Sequence, residues 1–229
     1  MLFLGIVQIA LPYSLVFWGE EYISSGLSAV LFATLPFFVA IFAHLLKSEK
    51  LTRSKIAGIL VAFAGLISIF WKDVTASQTL VSQYSTFGSL AVVGSAASGA
   101  LGNVVAKRHA ENIDPASNVL IQHLVAAVTL MALGSVTESV VSLKFNPEEI
   151  VAVLYLGVVG SALGFIGLYW LLKRTAATNA SMVAFVNPIV ALFLGWLILQ
   201  EVPDLNVGFG ATLILAGIYL TLKPADRLI

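Results

Sequence analysis

The chain has no cysteine in its 229 residues. That excludes a disulfide framework, thiolate metal sites and thiol redox chemistry. Charge is scarce as well. Only 10% of residues are Asp, Glu, Lys or Arg, against about 25% in soluble proteins. The twelve basic and twelve acidic residues cancel, which removes any general attraction to nucleic acid. No phosphate-binding Gly-Lys-Ser/Thr loop is present, so the chain has no nucleotide hydrolysis of that type. No cofactor is implied by any motif. Met1 to Trp18 lacks a basic start and a small-residue cleavage site, so it reads as a membrane span and not a secretory signal.

Apolar residues are abundant. They make up 59% of the chain, and the mean hydropathy is +0.98. A bilayer core about 30 Å thick needs roughly 20 mostly apolar residues per helix. The chain has room for about eight such spans, and the ten-residue alternation of a membrane barrel is absent. The expected fold is an all-α polytopic membrane protein in one membrane domain. Helices are expected over 2–19, 25–46, 54–71, 86–106, 116–136, 149–172, 177–199 and 206–222.

The connectors carry nearly all the charge. With the first end taken as cytoplasmic, ten Lys and Arg residues fall inside and two, Lys72 and Lys144, outside. This bias sets both termini on the cytoplasmic side. The connector 72–85 is polar, external and expected to be mobile.

One sequence offset organises the rest. Pro36 and Pro188 are 152 residues apart, as are Glu49 and Glu201. The same offset pairs Leu4 with Leu156, Gly5 with Gly157, Ala10 with Ala162, Leu11 with Leu163 and Trp18 with Trp170. It also pairs Gly58 with Gly210 and Gly65 with Gly217. The first expected span maps onto the sixth. Five spans is an odd number, so the copies run in opposite directions, the build of many secondary transporters. Full symmetry would place two further helices, about 65 residues, ahead of Met1. The alternative is a true eight-helix variant.

Two copies of one segment now stand out. They are Trp18…Pro36…Glu49…Gly58…Gly65 and Trp170…Pro188…Glu201…Gly210…Gly217. Each resembles the EamA family of the drug/metabolite transporter superfamily, and the resemblance covers nearly the whole chain. It implies a ten-helix fold of two inverted five-helix repeats with both ends cytoplasmic. Residues 1–71 would be the last three helices of the first repeat, and 86–222 the complete second repeat. It also implies a carrier, commonly an exporter in the bacterial inner membrane, for small molecules such as amino acids or drugs. Substrate would pass through a central cavity between the halves.

Candidate substrate-binding residues follow from polarity at membrane depth. Proline has no N–H and its ring clashes with the carbonyl four residues back. Pro36 and Pro188 should therefore free the carbonyls of Phe32 and Ala184, either to line a path or as a packing kink. Thr34 and Asn187 flank them. Asn187 either meets substrate or makes an interhelical hydrogen bond. Gln8, Tyr13, Asn103, Ser161 and Tyr169 are further candidates that together could line one cavity. Gln122 and His123 lie in the fifth span, where a lone His is more often a packing residue. Trp18 and Trp170 read as an interfacial belt. Glu49 and Glu201 close their helices where the helix dipole disfavours a carboxylate, so a basic side chain or backbone N–H should compensate. Gly94, Ser98 and Gly102 form a small-residue ridge beside Gly99, and Gly58, Gly65, Gly210 and Gly217 form seams. Those seams read as static packing, with sliding surfaces or a homodimer interface as alternatives.

No charged residue sits at mid-span, so no proton-coupling group is visible. A phosphosugar exchanger would need buried Lys or Arg, and an intramembrane protease a Ser/His or Asp pair at depth. Neither fits. The expected partners are the lipid bilayer and a small-molecule substrate. The alternative function is a truncated, non-transporting scaffold or partner subunit.

Overall fold

The computed structural model describes residues 1–71, 75, 83–109, 114–137, 146–199 and 205–223. Every regular element among them is helical. Helix α1 spans Leu2–Glu20 and contains a π-helical segment, Gly5–Ala10. Helices α2 (Ser25–Phe32) and α3 (Leu35–Leu45) follow as one broken rod, then α4 (Arg53–Ile69). Helices α5 (Gln83–His109) and α6 (Pro115–Thr137) are continuous. Helix α7 covers 147–174 with a second π segment, Leu156–Leu163. A second broken rod, α8 (Ala177–Ser181) and α9 (Val183–Leu199), precedes α10 (Leu205–Leu222). Five of the described helices are long and apolar enough to cross a membrane: those over Leu2–Glu20, Ser25–Leu45, Tyr84–His109, Pro115–Thr137 and Glu149–Arg174. The expected connector 72–85 lies largely outside the described residues, as does Glu201.

Helix starts follow local chemistry. Ser24 and Thr52 each accept a backbone N–H from three residues on, at Leu27 and Lys55. Pro115 and Pro147 open α6 and α7, where a missing N–H costs nothing. α3 ends in a Schellman motif. Lys47 takes a left-handed φ of 54°, its N–H reaches the His44 carbonyl, and the Ser48 N–H reaches that of Ala43.

The helices assemble around α5. In its most apolar stretch 56% of residues are buried inside the protein, whereas in that of α7 the share is 0%. Helix α5 lies against α1, α2 and α3, and α6 lies across the π segment of α1. Helices α4 and α10 pair along their length through four glycines. A Cβ on Gly65 would stand 2.5 Å from the Gly210 carbonyl oxygen, and one on Gly210 the same distance from that of Gly65. Gly58 and Gly217 face each other in the same way. Shifting the pair Gly58–Gly217 by 152 residues yields Gly210–Gly65, so the seam is antiparallel and self-similar. These glycines are occupied within the chain, which removes them as a homodimer interface.

Pro36 departs from the expected mid-helix position, while Pro188 lies within its helix. The chain breaks before each one. The α2–α3 break is at Ala33-Thr34, where the Thr34 hydroxyl donates to the Leu31 carbonyl at 2.6 Å. The α8–α9 break is at Met182, just after Ser181 donates to the Thr178 carbonyl at 2.7 Å. Pro36 therefore sits in the first turn of α3, where its missing N–H is no defect, and Phe32 is the last residue of α2. Pro188 lies inside α9. The two prolines are sequence mates in unlike settings, because the hydroxyl-capped turns fall at different distances ahead of them.

Candidate substrate site

The identical residues of the repeat bracket both π segments. Leu4-Gly5 and Ala10-Leu11 frame the first, and Leu156-Gly157 and Ala162-Leu163 the second. π turns inside α-helices are rare and frequent at functional sites. The first is clasped on two sides. Ser98 donates to the Val7 carbonyl at 2.6 Å, and Ser95 to that of Pro12 at 2.9 Å. A Cβ on Gly102 would lie 2.5 Å from Gln8 Cβ, and one on Gly5 would lie 2.9 Å from the Gln122 carbonyl oxygen. The small ridge of α5 thus lets α1 approach closely enough to seat Gln8 between α5 and α6. The second π segment has no buried residue.

Around Gln8 the structure joins four helices through one polar network. Gln8 Nε2 donates to Asn103 Oδ1 at 2.8 Å. The Tyr169 hydroxyl lies 2.6 Å from Gln8 Oε1 and 2.9 Å from Gln122 Oε1. Gln122 in turn pairs with Asn118 at 2.8 Å. All five side chains are buried. A phenol has one proton, so only one of the two glutamine oxygens can receive it. Rotating the Gln122 and Asn118 amides together resolves the conflict. Asn118 then donates to Gln122, Gln122 to Tyr169, Tyr169 to Gln8, and Gln8 to Asn103, with every donor directed one way. The three interhelical links contribute roughly 2 kcal/mol together, at the average measured inside membranes.

The other candidates lie elsewhere. Tyr13 is half-buried and stacks on Phe17 with ring centroids 5.7 Å apart. Thr34 is half-buried, with its hydroxyl engaged at the α2–α3 break, and Pro36 is buried beside it. Ser161 is half-buried on the second π segment. Asn187 is exposed and Pro188 half-buried on α9. Thus Gln8, Asn103 and Tyr169 come together, and Asn187-Pro188 do not join them.

Sequence reading missed Asn118 and gave Gln122 no role. The signal was there: an Asn and a Gln four apart share a helix face. His123 next to them points another way. Its Nδ1 lies 2.8 Å from the Val119 carbonyl oxygen, and its ring meets Phe165 edge-on at 5.1 Å. A nitrogen facing a carbonyl carries the proton, which leaves Nε2 a lone pair. That atom is buried without a partner among the described residues. Trp18 and Trp170 are both exposed. Trp170 carries the Arg174 guanidinium 4.1 Å above its ring.

Comparison with known proteins agrees with this architecture. The profile of the EamA-like transporter family matches residues 1–71 and 86–223. The uncharacterized transporter YoaV of Bacillus subtilis is 30% identical over 210 residues, covering 92% of this chain and 70% of that protein. An uncharacterized transporter of Archaeoglobus fulgidus is 27% identical, covering 96% of this chain and 76% of its own. Protein PagO of Salmonella typhimurium is 28% identical, covering 82% and 61%. A crystal structure shares the fold, with a TM-score of 0.83 at 18% identity, over 97% of this chain and 77% of that one. With its several apolar helices long enough to cross a bilayer, the chain belongs to the EamA-like transporter family and is a polytopic membrane transporter rather than an enzyme.

Proposed function

We propose that the chain is a secondary carrier that exports small organic metabolites, such as amino acids or drugs, by rocking two inverted repeats. In this reading 1–71 supplies three helices of the first repeat and 86–222 the five of the second, with eight spans here of a ten-helix plan. The basic connectors and both termini face the cytoplasm of a bacterial inner membrane. The observation that carries the reading is the self-similar glycine seam between α4 and α10. It brings α4 and α10 into antiparallel backbone contact, and in this reading each belongs to a different repeat.

Substrate binds between the repeats. The buried network of Gln8, Asn103 and Tyr169 forms the firm polar wall of the path. Tyr13, Thr34, Pro36, Ser161, Asn187 and Pro188 supply the more accessible contacts. The wall supports a neutral or zwitterionic substrate, since its groups are amides and a phenol and none is charged. The test is flux in vesicles with a broad panel of amino acids, nucleobases and drugs. Substrate-specific flux is expected. Correctly folded protein that moves none of the panel would overturn the assignment.

A further inference from the structure

At one end of the bundle, helix ends from both halves are tied by charged side chains. Lys107 of α5 donates to the Leu172 carbonyl at 2.6 Å, and Arg108 donates to that of Leu46. Both cations cover carbonyls at or just past the ends of other helices, where cations are favoured. Between these ties stands Glu49. The left-handed turn at Lys47 swings it off the end of α3 and across to the start of α8. Its Oε1 accepts the Ala177 N–H, and its carboxylate lies 3.4 Å from the Thr178 N–H. The Thr178 hydroxyl donates to Oε2 at 2.6 Å, and Lys55 Nζ lies 3.1 Å from the same oxygen. The Glu49 side chain is only 11% exposed.

We infer that Glu49 is the latch that holds this end of the path shut, a positioning residue for transport that never touches substrate. This rests on the carrier reading above. The geometry carries it. A single carboxylate reaches from the first broken rod to the first turn of the second, 128 residues away in sequence. Behind it, Ala43 of α3 is fully buried in a cluster with Ala177 and Ala180. That cluster also holds Leu35, Val39, Leu172 and Tyr169, and its apolar packing is non-directional. The strong directional interactions at this interface are therefore concentrated on Glu49. Glutamine in its place leaves one neutral acceptor oxygen where two charged ones served the helix N–H groups, the Thr178 hydroxyl and Lys55. The closed arrangement then loses its preference over one in which α3 and α8 part.

The absence of cysteine gives a clean experiment. A lone reporter thiol, Ala43→Cys, is placed in the full chain in vesicles and treated from the basic end with a membrane-impermeant maleimide. A second reporter, Val92→Cys, is fully buried on α5 against Gly19, away from the latch. Glu49→Gln is expected to speed labelling of the Ala43→Cys reporter about tenfold or more, the shift expected when charge-assisted hydrogen bonds are lost. Labelling of the Val92→Cys reporter should not change. With the first reporter, Glu49→Asp should fall between Glu49→Gln and the parent. Unchanged labelling of that first reporter would overturn the latch. So would equal increases at both reporters, which would mean general loosening. A silent transport panel with the expected labelling would count against the carrier reading and leave the latch standing.

Discussion

The Tyr169 hydroxyl sits 2.6 Å from Gln8 Oε1, joining α7 to the π segment of α1 across 161 residues of sequence. It is the only phenol in the network and the one group bonded to both glutamines. Tyr169→Phe keeps the ring and removes the link. Two buried amides then lose a partner, at a cost of about 1–3 kcal/mol. Thermal unfolding in detergent measures it. The double variant with Gln122→Leu should cost less than the two singles added, because it removes the orphaned partner as well.

The glycine seam sets up a paired comparison. A Cβ on Gly58 would lie 2.5 Å from the Gly217 carbonyl oxygen, whereas one on Gly134 would meet nothing within 4 Å. Gly58→Ala must push α4 from α10 and should destabilise by about 1–3 kcal/mol, the usual range for overpacking. Gly134→Ala should be neutral or stabilise by up to about 1 kcal/mol through helix propensity. Equal melting temperatures for the two variants would refute the close contact.

Lys47 occupies a backbone position that suits glycine. Its φ of 54° brings Cβ close to a carbonyl oxygen, a strain of about 1–2 kcal/mol for an L-residue. Lys47→Gly should recover roughly 1 kcal/mol in a thermal melt, less the extra chain entropy of glycine. No gain would mean the Schellman turn is held for other reasons.

Asn187 tests the accessible part of the proposed path. It is exposed on α9 and makes no side-chain hydrogen bond to the described residues. Asn187→Ala should leave the stability within about 0.5 kcal/mol of the parent in a thermal melt, as for surface changes. Transport of the true substrate should fall about fivefold or more, as for one lost polar contact. Unaltered flux would remove Asn187 from the binding residues.

Asp114 supplies an acid-sensitive cap. The Ser117 backbone N–H and hydroxyl donate to it at 2.9 and 3.0 Å, and the backbone bond is the main reason its carboxyl titrates below the ordinary 3.8. A carboxyl with a lowered value stabilises the fold fully above its unfolded value. That contribution fades as pH falls from there through the lowered value. The first turn of α6 should therefore show faster amide exchange, relative to the intrinsic rate, on acidification below 3.8. In Asp114→Asn the cap still accepts but no longer titrates, so this acid dependence should vanish.

Much of the fold was legible because membrane helices announce themselves locally. The expected span 116–136 is α6, Pro115–Thr137, and 206–222 lies within α10. The offset also marked Gly58, Gly65, Gly210 and Gly217 as packing seams, and the structure shows that they pack on one another. The demand that something offset the Glu49 carboxylate was equally readable, and Lys55, Ala177 and Thr178 meet it. Less legible were the helix breaks. A proline in an apolar run marks that a helix is interrupted nearby. The turn itself was placed by Thr34 and Ser181, whose hydroxyls cap carbonyls at different distances before Pro36 and Pro188.

Sequence by itself determined that the chain is a polytopic membrane protein, because a bilayer core takes about twenty mostly apolar residues per helix and the chain holds several such runs. It determined the offset of 152 and the identical residues that frame the two π segments. Only the tertiary structure decided which polar groups meet. Gln8, Asn103, Asn118, Gln122 and Tyr169 come from four helices, and whether they touch depends on each helix's rotation and depth. Those are set by close contacts such as Gly102 on Gln8 and Gly5 on Gln122, which no local pattern encodes. The same holds for Glu49, whose partners lie 128 and 129 residues further along the chain. A carboxylate's need for hydrogen bonds is written in its chemistry, and the identity of the donors is settled only when the end of α3 packs against the start of α8.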